Sequence, residues 1–376
     1  MRANRTTLLA GVVLSLVTAL APQAAAAPDP VECLPDGRMK SATCEAVDAA
    51  AVADGYGWVW AHDPSHLVGE WYIPSTPYQY SSVTDSPSNQ VRHVGLGTYT
   101  VFVNGVSPTA GVTHVTAYGR DSRTRCKVIV ATPTVGGQYL TVRCYDFGGT
   151  PVDGMFTASF TNLRSRDYPF GYRAVNNGVV TTHNSASTTV IHAREALGQY
   201  KVSFKQLGGS AGGTVQVTAT GQSDTWCKTA DWYPDSIYHH VLVRCFTPSG
   251  APADSDFNVT FVNKGNIVGD KNPTPGLTSA YGWISSGASA SAPDTWAYPL
   301  PTWTVATPTT GTRDLTPSVT LASGGEVQVT AYDTTTNSCV IAYWTGTTAT
   351  VQCYTTAGAP VNGSFDISYL GKRTWS

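Results

Sequence analysis

Apolar and polar positions alternate in short runs along most of the chain. "TYTVFVNG", "THVTAYG", "CKVIVA", "YLTVRCYD" and "MFTASFTN" switch nearly every residue, with Gly, Pro or Asp turns between them. A period of two predicts half-buried β-strands. Only the Ala-rich "SATCEAVDAAAVAD" at 41–54 reads as a helix.

The pattern is written three times. An aromatic opener recurs as "YGWVWA" at Tyr56, "FGYRAV" at Phe170 and "YGWISS" at Tyr281. A second landmark follows as "HVTAYG" at His114, "QVTATG" at Gln216 and "QVTAYD" at Gln328. A cysteine hairpin and its tail close each copy, as in "TVRCYDFGGTPVDGMFTASFTN", "LVRCFTPSGAPADSDFNVTFVN" and "TVQCYTTAGAPVNGSFDISYL". Cys126 to Cys227 is 101 residues and Cys227 to Cys339 is 112. The copies therefore run over 56–163, 168–264 and 281–371, with 265–280 as a linker. Each copy holds about eight predicted strands.

The chain is predicted to be all-β, and two architectures fit. One is three tandem, disulfide-tied antiparallel β-sandwich repeats of about 100 residues. The other is a single six- or seven-bladed β-propeller built from three two-blade repeats.

The first 27 residues read as a secretory signal peptide: Arg2 and Arg5, a short apolar run from Leu8 to Leu20, and small residues at Ala25–Ala27. The run is too short to be a membrane span, and no later stretch is long enough. Residues 28–55 form a separate segment. Eight cysteines, all after the signal, suit an oxidising compartment. Eight cysteines allow 105 pairings, and the repeat selects one. Cys126–Cys144, Cys227–Cys245 and Cys339–Cys353 occupy equivalent places, which leaves Cys33–Cys44. Charged residues are 13% of the chain and the net charge is −2, a balance that argues against nucleic acid.

The repeated pattern resembles secreted repeat proteins of actinobacteria and myxobacteria. The likeness covers nearly all of 56–371 and implies no activity. A looser likeness, in size and origin, is to the dispase autolysis-inducing protein of Streptomyces, a secreted propeller and transglutaminase substrate. No motif matches it, so no residue role is carried over.

Chemistry-bearing motifs are few. Gly208-Gly209-Ser210-Ala211-Gly212 matches G-x-S-x-G but leads into a strand, so it reads as a hairpin loop. His62, His66 and Glu70 would share a face if helical and could then hold zinc, but Pro64 interrupts them. His239 and His240 lie on a strand and point to opposite faces. No cofactor is implied.

Aromatics are 10% of the chain, and several read as loop residues: Trp71, Tyr72, Tyr78, Tyr80, Trp232, Tyr233, Tyr238, Trp296, Tyr298 and Trp303. Exposed aromatic planes stack on sugars or grip protein partners. The expectation is a secreted, non-catalytic binding protein whose partner is a glycan or a cell-wall protein. The alternatives are a secreted hydrolase with its site in the first copy, and a matrix protein cross-linked through exposed Gln79, Gln90 or Lys40.

Overall fold

The computed structural model describes residues 53–84, 88–209, 212–270, 279–284, 295–298, 303–317 and 324–371. The signal segment, the Cys33–Cys44 pair, Lys40, nearly all of the Ala-rich stretch and Ser210 lie outside the described residues.

The first copy contains β1 (Tyr56–Ala61), β2 (Trp71–Tyr72), β3 (Gln79–Ser81), β4 (Gln90–Gly95), β5 (Thr98–Asn104), β6 (Val112–Tyr118), β7 (Thr124–Thr134), β8 (Gly137–Asp146) and β9 (Met155–Thr161). Strands β3-β1-β9-β6 form its inner sheet and β2-β4-β5-β8-β7 its outer sheet. Alternation aims Val59, Phe156 and Phe160 of the inner sheet at Val101, Leu140 and Val142 of the outer one. Full burial of each such side chain stabilises by about 1.5–3 kcal/mol.

The second copy repeats this plan. It has β10 (Phe170–Asn176), β11 (Val179–Asn184), β12 (Val190–Ala196), β13 (Gln199–Lys205), β14 (Thr214–Ala219), β15 (Trp226–Pro234), β16 (Tyr238–Phe246) and β17 (Phe257–Val262). Its inner sheet is β11-β10-β17-β14 and its outer sheet β12-β13-β16-β15. The third has β18 (Ser279–Ile284), β19 (Thr295–Tyr298), β20 (Trp303–Ala306), β21 (Thr312–Pro317), β22 (Glu326–Tyr332), β23 (Ser338–Trp344), β24 (Ala349–Tyr354) and β25 (Ser364–Leu370). Each copy is thus a two-sheet sandwich with its own core, not a pair of propeller blades. Among the described residues no helix is long and apolar enough to cross a membrane.

The cysteine tail fastens each sandwich. Cys126–Cys144, Cys227–Cys245 and Cys339–Cys353 are bonded across adjacent antiparallel strands. The tail loop then caps a glycine turn: Asp153, Asp254 and Asn362 accept the amides of Gly97, Gly198 and Gly311 at 2.7, 2.9 and 2.8 Å. These glycines have φ of 65°, 65° and 82°, and a Cβ there would strike the cysteine carbonyl at 2.5–3.0 Å. Glycine alone meets both demands.

The three sandwiches also close on one another. Parallel bridges link Val128 to Thr220, Thr229 to Tyr332 and Ile341 to Tyr118. The six residues are equivalents, each two places after a first cysteine or at the end of a "VTA" strand. The amides of Gly221, Asp333 and Gly119 donate to Val128, Thr229 and Ile341 at 3.0, 3.2 and 2.8 Å. The outer sheet of each copy therefore continues into the inner sheet of the next, first to second, second to third and third to first. This is a ring of three sandwiches about a pseudo-threefold axis.

Strands β6, β14 and β22 line that axis, which explains why "VTA" recurs. Val115, Val217 and Val329 amides donate to Thr218, Thr330 and Thr116 hydroxyls of the next copy at 3.2, 2.9 and 3.0 Å. Thr116 and Thr330 donate to Gln328 and Gln216 at 2.6 and 2.8 Å. His114 replaces the third glutamine, with Nδ1 3.2 Å from Thr218 Oγ1 and Nε2 2.8 Å from Thr260 Oγ1. A buried polar layer holds only when its members are paired, and this one is paired around the ring.

Beyond the polar layer, the openers form an apolar cluster that includes Tyr56, Trp58, Phe170, Tyr172 and Tyr281. Here the sequence alignment needs correction. Tyr56 pairs with Thr161 and Phe170 with Val262, but Tyr281 pairs with Ser368 rather than Leu370. The third opener sits two residues further along, so Trp283 takes the place of Trp60. Both rings meet the tyrosine that ends their own copy's axial strand, Trp60 on Tyr118 at 4.7 Å and Trp283 on Tyr332 at 5.3 Å.

Candidate ligand-binding sites

The predicted aromatics whose side chains the structure describes do not gather on one surface, and most of the ten stand on strands. Trp71, Tyr72 and Tyr80 stand on β2 and β3, Trp232 and Tyr233 on β15, and Tyr238 on β16. Trp303 opens β20 as an inward residue of an alternating strand and is 3% exposed in the third core. Trp71 is half-buried, near Arg92 and Tyr139. Tyr72 packs on His66 at 4.7 Å, Tyr78 on Trp60 at 4.4 Å, and Tyr80 on Tyr56 at 5.6 Å. Trp232 packs against the second core, while Tyr233 is 40% exposed. Trp296 and Tyr298 lie on β19, and their side chains are outside the described residues.

At one seam aromatic rings close the contact between copies. Trp60 meets Trp344 of the third copy at 5.0 Å. The equivalent seam between copies one and two has no such rings. There the side-chain amide of Asn176 accepts a hydrogen bond from the Ala131 amide and donates one to the Ala131 carbonyl.

The candidate trio His62, His66 and Glu70 is not assembled. His66 Nδ1 lies 3.1 Å from Asp63 Oδ2, His62 packs between Trp60 and Tyr78, and Glu70 faces solvent. Among the described residues no group of three or more His, Cys, Asp or Glu side chains is placed to hold a metal. Gln79, expected to be exposed, is 1% exposed: its amide nitrogen donates to Pro74 and its oxygen accepts from Asn89.

His239 and His240 take opposite faces. His239 is fully buried against Phe261, and burial holds its imidazole down to about 3. His240 lies 2.8 Å from Ser203 Oγ and 2.9 Å from Asp235 Oδ2. That is the composition of a serine triad, but not its setting. Ser203 is 4% exposed and faces Nδ1 of the ring. Strand β13 is flanked by β12 and β16, so its ladder consumes the amides an oxyanion hole would need. Asp235, held down to about 2 by the amide of Tyr238, by His240 and by the amide of Ile237, instead caps the β15–β16 turn.

Two of the concavities among the described residues bear on binding. The larger, about 640 Å³, opens where the third outer sheet meets the first copy. Thr309, Thr312, Thr345 and Thr348 line it, and Tyr343 is 44% exposed beside them. Its far wall is braced. Gln352 bonds the amide and carboxylate of Asp121 at 2.7 and 3.0 Å, and Thr350 donates to Asp314 at 2.7 Å. The volume lies in the range of small-molecule sites.

The smaller pocket, about 70 Å³, lies on the axis among Cys126, Cys227 and Cys339. Equivalent positions give it unlike walls: Arg125, Trp226 and Ser338 before the cysteines, then Lys127, Lys228 and Val340 after them. Arg125 lies between the rings of Phe147 and Trp226, 4.3 and 4.4 Å from their centroids. Its Nε donates to Ser338 Oγ at 3.3 Å, while Nη2 is enclosed without an acceptor. Burial lowers Arg125 to about 10 and Lys127 to about 8. Lys127 Nζ donates to the carbonyls of Ser223 and Thr225 at 2.9 and 3.1 Å.

Neither of these two concavities was legible from the strand pattern. "RCK", "WCK" and "SCV" at 125–127, 226–228 and 338–340 carried a signal in their differences. Comparison with known protein families, curated proteins and solved structures finds no match.

Proposed function

We propose that this chain is a secreted, non-catalytic binding protein that takes a glycan in the threonine-lined groove, with Tyr343 as its stacking platform. The observation that carries this reading is the exposed Tyr343 ring beside a braced wall of hydroxyls, carboxylates and an amide. Sugars present alternating apolar faces and hydroxyls, and such a wall meets both. Three disulfides suit an oxidising, extracellular setting. The cross-linked matrix reading loses Gln79, which is buried, and the hydrolase reading loses its histidine cluster.

Binding to cell-wall polysaccharides by pull-down, and to their soluble oligosaccharides by calorimetry, tests the proposal. Wild type and Tyr343→Phe should bind, while Tyr343→Ala should lose most of the affinity. Binding by Tyr343→Ala equal to wild type would remove the groove from the account. No binding by the wild-type protein to any polysaccharide would remove the glycan.

A further inference from the structure

The axial pocket holds cations that the ring does not need. Position 125 is Arg in the first copy, but its equivalents are Trp226 and Ser338, and the seams close without a cation there. Position 127 is Lys, with equivalents Lys228 and Val340. The second seam neutralises its cation: Lys228 Nζ lies 2.7 Å from Asp333 Oδ1. The first seam does not. Lys127 is 3% exposed and held by two carbonyls, which leaves one of its three donors unused.

Among the described residues, neither Arg125 nor Lys127 has a carboxylate within ion-pair contact. Asp146 acts on Arg125, and Asp224 and Asp256 act on Lys127, all from beyond that distance. Asp224 also lines the pocket, on the exposed side. A buried cation without a counter-charge is costly, and so is a buried donor without an acceptor. Both costs fall on the same face of one strand, since residues 125 and 127 lie two apart on β7. The two rings around Arg125 fix the plane of its guanidinium, so its free edge is set in advance.

We propose that the axial pocket is a binding site for a small oxyanion, a carboxylate or phosphate group, held by Arg125 Nη2 and the unused donor of Lys127. The guanidinium fork suits the two oxygens of such a group. The pocket volume admits one such group rather than a polymer.

Calorimetry and thermal unfolding with inorganic phosphate, sulfate and acetate, at constant ionic strength against chloride, test the site. Wild type should show saturable heat and a saturable rise in midpoint with at least one of these anions. The phosphate and acetate arms tell the two sources apart. Arg125→Gln and Lys127→Gln should each weaken binding about tenfold or more, and Arg125→Lys should fall between. Near-UV circular dichroism shows that each variant is folded. Ser338→Ala, which keeps both cations, reports on the site should Arg125→Gln fail to fold. It removes the hydroxyl that orients Arg125, so it should weaken binding two- to fivefold, roughly. Tyr343→Ala should bind anions as wild type does, which separates this site from the glycan groove. No saturable effect in wild type, or unchanged binding by folded Arg125→Gln or by Ser338→Ala, would overturn the proposal.

Discussion

Lys228 Nζ stands 2.7 Å from Asp333 Oδ1 across the seam between the second and third sandwiches, with the Thr335 carbonyl 3.2 Å away. The lysine is 1% exposed and the aspartate 23%. Removing the carboxylate strands a buried cation, whereas removing the ammonium leaves a carboxylate that water still reaches. Asp333→Asn should therefore cost roughly 3 kcal/mol and Lys228→Met about 1–2 kcal/mol. Denaturant unfolding of both variants measures the order, and the reverse order would contradict the role given to this pair.

Stability should depend on pH through four buried groups. Burial pushes Glu326 up to about 8 and Asp366 well above the usual carboxylate range. Burial holds His114 and His239 down to about 3. The two acids bind protons more tightly when folded, so their contribution is complete below their unfolded values and is lost as pH rises, through about 8 for Glu326. The two histidines bind protons less tightly when folded, so theirs is complete above 6.5 and is lost as pH falls toward 3. Each slope is roughly 1.4 kcal/mol per pH unit. The two pairs oppose one another between about pH 4.5 and 6.5, and above that range the Glu326 contribution continues to fall. Urea midpoints at several pH values test this, with Glu326→Gln as the key variant. Its advantage over wild type should grow by roughly 4 kcal/mol between pH 4.5 and 8.

His114 occupies the place where the siblings carry Gln216 and Gln328. His114→Gln can renew the bond to Thr218 and should change stability by less than about 1 kcal/mol. His114→Ala leaves hydroxyls of the axial layer unpaired and should cost roughly 3 kcal/mol. Equal losses in the two variants would show that packing, not pairing, sets this position.

Trp303 and Tyr343 should part company. Trp303→Ala opens a hole in the third core and should cost about 3–5 kcal/mol. Tyr343→Ala removes a ring that is 44% exposed and should cost under about 1 kcal/mol while losing most of the glycan affinity. Thermal unfolding and calorimetry on the same preparations check both halves.

Each disulfide closes a short loop of 14 or 18 residues. Replacing Cys227 and Cys245 together by Ala should cost about 3 kcal/mol, read from denaturant midpoints under oxidising conditions.

The sandwich plan was legible because alternation and the three cysteine hairpins are local in sequence. "TVRCYDFGGTPVDGMFTASFTN" and its siblings held a strand, a loop and a second strand together, and the recurrence of a cysteine before each such tail paired Cys126 with Cys144. Trp303 was misread because flanking prolines suggested a loop, whereas its partners Val305 and Leu315 show an inward strand position. Ring closure was hidden for a different reason. It rests on three residue pairs about 100 to 220 places apart, such as Ile341 with Tyr118. The threonines of "VTA" look like the solvent face of a strand, and only the neighbouring copy reveals that Thr116 faces Gln328.

The unlike walls of the axial pocket bear on why one chain carries all three copies. A homotrimer of single copies would repeat any axial residue three times. Three arginines at position 125 would meet on one line and repel, and three tryptophans would crowd the same space. A fused chain escapes that arithmetic. It can set one arginine, one tryptophan and one serine around a single point, and so build an asymmetric centre within a symmetric frame.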